Sequence, residues 1–386
     1  MKVLICTTKY SLDDKSPYLT NELVNQFLLK NAEVEVLLIP WDDEFIPKNN
    51  KSFVLIKKPF FSKSKGFIGL VGKWFLSSLK FYPFLFKKIL FRQKYDLVIF
   101  FSPSVIFGPA LLLSKLISNK TACIYWDFFP VHNYEIGMPI PKSLLVPLKY
   151  YERYLNSLYS IVFLMSPRNI DFYKKYFSSK HEVSVLPIWR NLSTNTHTVG
   201  PRNVSAYPVK FVFGGQLILG RGIDDLMAAF SQAISLNSNI QLYVVGKGPL
   251  SKSVCEYEKS THGKIKLIDH MHRSDYSRFL EECDVGVICT VANVSVPSYP
   301  SKALDYMAAK LPLAISVEAT TDFGEIAVLN KYGLTCTAGD VDGFSKIILK
   351  LAEDSELRKD YGSNGFNYLL ENHSVVQTVE KLISIL

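Results

Sequence analysis

Two stretches in the second half of the chain combine cations, small residues and helix starts in a way that suits a phosphate. The first is Phe213-Gly214-Gly215-Gln216-Leu217-Ile218-Leu219-Gly220-Arg221-Gly222-Ile223-Asp224. It reads as a strand that ends in glycines, a short loop and a helix start. Glycine lets a backbone come close to a phosphate, and the unpaired N–H groups of a helix start attract anions. Arg221 supplies a positive fork for a diphosphate, with Gly215 and Gln216 in the turn before it. The plain alternative is a glycine-rich turn with a solvated arginine. No Gly-x-Gly-x-x-Gly pattern occurs here, which argues against NAD.

The second stretch is Val296-Pro297-Ser298-Tyr299-Pro300-Ser301-Lys302-Ala303-Leu304-Asp305-Tyr306-Met307-Ala308-Ala309-Lys310-Leu311-Pro312. Ser301 is expected to N-cap a helix that begins at Lys302. Lys302 and Asp305 are three apart, so they share a face of its first turn. The cation suits a phosphate and the carboxylate suits the vicinal hydroxyls of a ribose. An ordinary capped helix with an ion pair is the alternative.

A third feature lies in the first half. Lys51 to Lys94 contains ten Lys, one Arg and no acid, so this segment carries +11 of a net charge of +9, and the remainder is 9 − 11 = −2. Its cations interleave with aromatic and aliphatic residues, as in Lys73-Trp74-Phe75 and Lys80-Phe81-Tyr82. Such a pattern fits an in-plane contact with an anionic membrane, with Lys63, Lys65, Lys73, Trp74 and Lys80 as the contact residues. Nucleic acid would also accept the charge, but no nucleic-acid motif accompanies it. The alternative is a helix with a core-facing aromatic side and solvated lysines.

Elements that could position these residues alternate along the chain. Val3–Cys6, Val34–Ile39, Asp96–Phe101, Ala122–Tyr125 and Ile161–Met165 read as strands, with helical stretches between, as at 18–30. Continuous apolar runs such as Asp96-Leu97-Val98-Ile99-Phe100-Phe101 suit strands buried on both faces of a parallel sheet. The pattern stops in the polar stretch around 191–208 and then restarts. Further strands are expected at Lys210–Phe213, Ile240–Val245, Lys264–Ile268, Val285–Cys289 and Leu313–Ser316, with a helix at Asp224–Ser235. Val245-Gly246-Lys247-Gly248-Pro249 closes one of these strands.

The expected architecture is α/β, with two tandem Rossmann-like domains facing across a cleft. Their bounds are 1–195 and 205–370, with a last helix at about 371–386 packing back on the first domain. The length of 386 residues suits two domains. Hydrophobic residues at 48% and charged residues at 20% exclude a disordered chain. No apolar run is long enough to span a bilayer. The start, Met1-Lys2-Val3-Leu4-Ile5-Cys6, reads as a strand rather than a signal peptide. Six cysteines without Cys-x-x-Cys or His spacing point to free thiols in a reducing cytosol, and no metal site is expected.

With these residues in view, the chain resembles the retaining glycosyltransferases of family 4, which have the GT-B fold. It is most similar to the subgroup that reads Pro-Ser-Lys-x-x-Asp/Glu-Tyr in the donor site. The resemblance runs in order through Gly214-Gly215-Gln216, Arg221-Gly222, Val245-Gly246-Lys247-Gly248-Pro249, Pro300-Ser301-Lys302, Ala308-Ala309-Lys310-Leu311-Pro312 and Phe323-Gly324-Glu325. It implies a nucleoside diphosphate sugar, usually a UDP-sugar, used without a bound metal or cofactor. Asp305 would then hold the ribose, Arg221 and Lys302 the diphosphate, and the backbone around Ser301 would approach the donor.

Two departures stand out. Many relatives have two carboxylates eight positions apart, whereas Pro297 stands eight before Asp305, and many have Arg where Gln216 stands. In the first half the usual glycine-rich loop is replaced by Tyr10-Ser11-Leu12-Asp13-Asp14-Lys15-Ser16-Pro17-Tyr18. Asp127 and His132, in Trp126-Asp127-Phe128-Phe129-Pro130-Val131-His132, lie where relatives carry residues that face the sugar. They are candidates to touch sugar or acceptor.

The resemblance further implies front-face displacement with retention, and domain closure over the donor is expected. The basic segment Lys51 to Lys94 points to a lipid-linked or polysaccharide acceptor at the inner face of the plasma membrane. A UDP-sugar 2-epimerase of the same architecture and a non-catalytic sugar-nucleotide or lipid-binding module are the rival readings.

Overall fold

The computed structural model describes residues 1–13, 17–40, 53–59, 69, 72–137, 140–192 and 208–386, with the side chain of Lys73 left out. The chain folds as two compact units. One comprises Met1–Trp189 and Val375–Leu386, the other Arg190–Ser374.

The first unit is built on a seven-stranded sheet in the order β3-β2-β1-β4-β5-β6-β7. Its strands are β1 (Lys2–Thr7), β2 (Glu33–Leu38), β3 (Val54–Ile56), β4 (Tyr95–Phe101), β5 (Ser118–Tyr125), β6 (Ile161–Leu164) and β7 (Val183–Val185). All neighbours pair in parallel, and Val3 pairs with Val34 on one side and Leu97 on the other. A parallel strand needs a crossover to reach its neighbour, and helices supply most of these. Leu23, Val24 and Phe27 of the helix Leu19–Leu29 are buried against Val3, Ile5 and Val36. The last helix, Val375–Ile383, adds Val375, Val379 and Leu382 to this same core. Their spacing of four and three keeps them on one helix face. Lys30 and Glu380 bridge the two helices at 3.0 Å.

The second unit has a six-stranded sheet in the order β10-β9-β8-β11-β12-β13. These strands are β8 (Val209–Gly214), β9 (Ile240–Val245), β10 (Ile265–Ile268), β11 (Val285–Cys289), β12 (Leu313–Val317) and β13 (Gly333–Thr337). They too pair in parallel throughout. Numbered within the unit, the order is 3-2-1-4-5-6, the doubly wound arrangement. The strand order reverses between β8 and β11. The short strands β3 and β7 and the outer β13 were not expected from the sequence.

The basic segment is only partly described. Lys63 and Lys65 lie outside the described residues, as does the side chain of Lys73. Trp74 is 4% exposed and stands edge-on to Phe129 at 4.6 Å, so it is a core residue and not an outward anchor. Phe81 and Leu85 are likewise buried. Lys80 donates to the Lys58 carbonyl at 2.8 Å, and Lys88 pairs with Glu35 of β2 at 2.8 Å. The outward face of the helix Tyr82–Leu90 is different. Phe86, Leu90 (77% exposed) and Phe91 (62% exposed) accompany exposed Lys87 and Arg92. No helix among the described residues is long and apolar enough to cross a membrane.

One buried carboxylate organises the carboxyl end of β4. Glu152, on the helix Leu145–Asn156, accepts the N–H groups of Ser104 at 2.7 Å and Val105 at 3.0 Å. It also accepts the Tyr125 hydroxyl at 3.1 Å. The turn so fixed begins at Ser102, whose Oγ accepts the N–H groups of Trp126 and Asp127, both at 2.8 Å. Burial pushes the Glu152 carboxyl up to about 7 against the pull of these hydrogen bonds.

The folded state therefore binds this proton more tightly than the unfolded chain, where the group titrates near 4.5. Its contribution to stability is full below about pH 4.5 and is lost as pH rises through about 7. The difference corresponds to on the order of 3 kcal/mol. Glu152→Gln should flatten this fall, even though the amide serves the two N–H groups less well. Urea midpoints at about pH 5 and about pH 7.5 check it, with the parent losing more than the variant between them. Equal losses would assign the pH dependence to other groups.

Candidate donor site

In an open parallel sheet, ligands bind beyond the carboxyl ends of the strands where the order reverses. In the second unit those ends are Gly214 of β8 and Cys289 of β11. Both phosphate-suited stretches leave from this edge.

The loop after β8 is held by backbone. Gly215 donates to the Val245 carbonyl at 3.0 Å, and Leu217 to that of Lys247 at 3.1 Å. Such close approach needs residues without a Cβ. One built at Gly246 (φ 152°) would stand 1.9 Å from the Gly215 carbonyl oxygen, and one at Gly222 (φ 61°) 2.4 Å from that of Thr290. The two glycines thus join the ends of β8, β9 and β11 in one ridge. Gln216 and Arg221 are exposed on it. The Cys289 thiol donates to the Arg221 carbonyl at 3.0 Å, which fixes the arginine's backbone. Among the described residues Arg221 has no ion pair. Asp224 and Asp225 occupy the first turn of the helix Ile223–Leu236 and already complement its dipole. A phosphate at this loop would depend on Arg221 and the backbone more than on that helix end.

The second stretch begins where expected, with the helix Lys302–Ala308. Ser301 is exposed and precedes it in helical geometry, but its hydroxyl caps no N–H, contrary to expectation. The first turn is held by backbone alone, Ala303 to Pro300 and Leu304 to Ser301, both at 3.2 Å. Lys302 Nζ lies 3.3 Å from Asp305 Oδ2 and 4.5 Å from the centre of the Tyr276 ring. Burial, then Arg273, then Arg190 hold its ammonium below the usual lysine range, at about 8.

Arg190 escaped sequence reading. Its Nη1 bonds directly to Asp305 Oδ1, so the carboxylate stands between two cations. The Arg190 backbone N–H donates to the His373 carbonyl at 2.8 Å, and the His373 ring meets the Tyr299 hydroxyl at 3.1 Å. No spacing rule links residues 190, 273 and 302, because Arg190 comes from the segment that enters the unit and the other two from different crossovers.

Two further residues complete the site. Tyr306 accepts the Gly214 N–H at 2.8 Å, which ties the helix back to β8. Glu318, just beyond β12, is buried and accepts the Thr290 hydroxyl at 2.5 Å and the Ser298 N–H at 2.6 Å. It thereby places a carboxylate one residue from Pro297. The triplet Asp340-Val341-Asp342 serves a helix start. Asp340 accepts the Gly343 N–H at 2.8 Å, and Asp342 accepts the Gln232 amide at 3.0 Å.

The first-unit candidates are less engaged. Asp127 is exposed, with its backbone held by Ser102. His132 is the second residue of a short helix, Val131–Glu135, and its buried Nδ1 has no hydrogen-bond partner among the described residues.

Residues 203–368 match the sequence model of the family described as glycosyl transferases group 1. No curated protein sequence matches the chain. Among solved structures, the chain is similar to sucrose-phosphate synthase from Thermosynechococcus elongatus. The TM-score is 0.75 at 12% identity, over 100% of this chain and 98% of that one. HepE of Anabaena in complex with UDP-glucose gives 0.65 at 14% identity, over 100% of both chains. The lipopolysaccharide outer core galactosyltransferase WaaB gives 0.63 at 13%, also over 100% of both. At such identities the likeness speaks for the fold, and the family match for residues 203–368. Residues 203–368, most of the second unit, thus match the sequence pattern of group 1 glycosyl transferases, in a chain whose two parallel sheets have the GT-B fold.

Proposed function

We propose that the chain is a retaining, metal-independent glycosyltransferase of family 4, in its Pro-Ser-Lys subgroup, that uses a UDP-sugar. The observation that carries the reading is the grouping of cations at the reversal point of the second sheet. Arg221 stands on the β8 loop, and Lys302 stands beside Asp305 at the start of the helix that follows β11. The HepE neighbour, named with UDP-glucose, supports the choice of donor.

In front-face displacement the bond from the anomeric carbon to the diphosphate oxygen breaks, and the acceptor oxygen bonds on the same face. The acceptor proton passes to the leaving diphosphate. The protein's part is to stabilise charge that grows on that diphosphate and to align the acceptor. Arg221 and Lys302 meet the first need, Asp305 holds the ribose, and Gly215, Gly246 and Ser301 offer backbone to the donor. Asp127 and His132 contact the sugar or the acceptor. The acceptor is a lipid-linked or polysaccharide chain in surface glycan synthesis at the cytoplasmic face of the plasma membrane.

Losing one charge-assisted contact should cost about 1.5–3 kcal/mol. Lys302→Ala and Arg221→Ala should each weaken UDP binding by that amount in titration calorimetry, with the melting temperature of the free protein nearly unchanged. Unchanged affinity in both variants refutes the donor site. A panel of UDP-sugars, with and without a lipid-linked acceptor, separates transfer from epimerisation and from binding alone.

Arg221 and Lys302 supply the charge that a divalent ion would otherwise bring. EDTA should leave most of the turnover intact. Loss with EDTA that manganese or magnesium restores would overturn metal independence.

The exposed Phe86, Leu90 and Phe91 beside Lys87 and Arg92 support docking on an anionic membrane. Each such cation contributes about 1 kcal/mol near an anionic surface, and salt screens it within about 10 Å at 0.1 M. Co-sedimentation with liposomes should require anionic lipid and fall as salt rises. It should drop further in Lys87→Glu/Arg92→Glu. Equal recovery with neutral and anionic liposomes at low salt would make this face merely solvated.

A further inference from the structure

Arg190 is the first residue of the second unit, and Ser374 is the last. The two form a parallel bridge, so the incoming and outgoing segments of the unit run side by side there. From this anchored backbone the Arg190 side chain reaches into the donor site and takes Asp305 Oδ1. Side-chain exposure is 14% for Arg190 and 19% for Asp305, so this is a largely desolvated pair. Lys302 has the looser share of the carboxylate, at 3.3 Å, and stays 42% exposed. Arg190, Arg273 and Lys302 against one Asp305 give the group a net charge of 3 − 1 = +2.

A carboxylate beside a lone lysine would close on it and cancel its charge. Here the guanidinium competes for that carboxylate with a planar fork, which a carboxylate prefers to a point charge. We infer that Arg190 is a positioning residue of the donor site, which takes one oxygen of Asp305, limits the carboxylate's hold on Lys302 to a single 3.3 Å contact and so leaves more of the lysine's charge for a diphosphate.

Lys302 reports the arrangement. The groups that face it are Asp305 on its own helix, Arg190 on the incoming segment, and Arg273 and Tyr276 on the helix Arg273–Glu281. Burial raises the Tyr276 hydroxyl and keeps it neutral. With its pKa lowered to about 8, the ammonium loses its proton as pH rises from 7 to 9. Diphosphate affinity in the parent should fall over that range. Without Arg190 the lysine loses one repelling cation and gains the carboxylate, so its pKa rises and the fall should flatten.

The inference rests on the donor reading, and UDP is the probe. Arg190→Gln should bind UDP about tenfold more weakly at pH 7, equivalent to ~1.4 kcal/mol. It should lose less of that affinity between pH 7 and 9 than the parent loses, and Arg190→Lys should restore part of the affinity. In an Asp305→Asn background the same Arg190→Gln change should cost less than about twofold, because no carboxylate remains to close on Lys302. Failure of the parent to bind UDP would overturn the donor reading itself. With UDP bound by the parent, additive losses in the double variant, or an unchanged pH profile in Arg190→Gln, would overturn the role given to Arg190.

Discussion

Parallel pairing is the constraint on which the rest of this structure depends. A strand can be followed by a parallel neighbour only through a crossover, so the loops that leave the strands' carboxyl ends collect along one edge of the sheet. The described strands of both sheets obey this rule. In the second unit it brings together segments that are distant in the chain. The loop after β8, the Gly246 turn after β9, Arg273 after β10, and the Val296–Pro300 segment after β11 gather at that edge. The sheet's hydrophobic burial thus positions charged residues that it never touches.

Backbone packing then makes that edge firm. Gly222 against Thr290 and Gly246 against Gly215 leave no room for a Cβ. Tyr306 depends on the same economy of volume, because a Cβ at Gly286 of β11 would stand 2.4 Å from its ring. The ring fits over that strand, and its hydroxyl accepts from Gly214 at the end of β8. Small residues at one strand thereby allow a large one on the helix that carries Lys302 and Asp305. Rigidity at these positions suits electrostatic catalysis, where donors must already point at the growing charge.

Much of this was legible in the sequence because it is local. Continuous apolar runs such as Ile240–Val245 and Val285–Cys289 marked buried parallel strands with bounds that the structure keeps. The start of the helix at Lys302 and the spacing of Lys302 and Asp305 were equally readable. The unread features depend on distant contacts. Trp74 looks like an interfacial aromatic among lysines, but Phe129 buries it. Ser301 has the residue type of a cap, but its helical backbone geometry leaves the hydroxyl without an N–H to accept. Arg190 lies 115 residues from its partner, beyond the reach of any periodicity. The edge strands β3 and β7 have three residues each, too few to show one.

The segment at Pro297 shows how one buried carboxylate can brace a loop that lacks a backbone donor. Pro297 has neither a carboxylate nor an N–H, so the segment Val296–Pro300 cannot hold itself by the usual means. Glu318 arrives from the end of β12 and accepts the N–H of Ser298, the first one after the proline. Its other oxygen takes the Thr290 hydroxyl from the end of β11, so the carboxylate spans two neighbouring strand ends. Both oxygens are then committed to the protein, in a buried position where an unmatched charge would be costly. Glu318 is therefore a brace for the loop at Pro297. The only carboxylate of the Pro-Ser-Lys helix start is Asp305, and its electrostatics must be tuned by its neighbours. Two of those neighbours are cations from separate segments, Arg190 and Lys302. The site's acid–cation balance is thus concentrated on one aspartate.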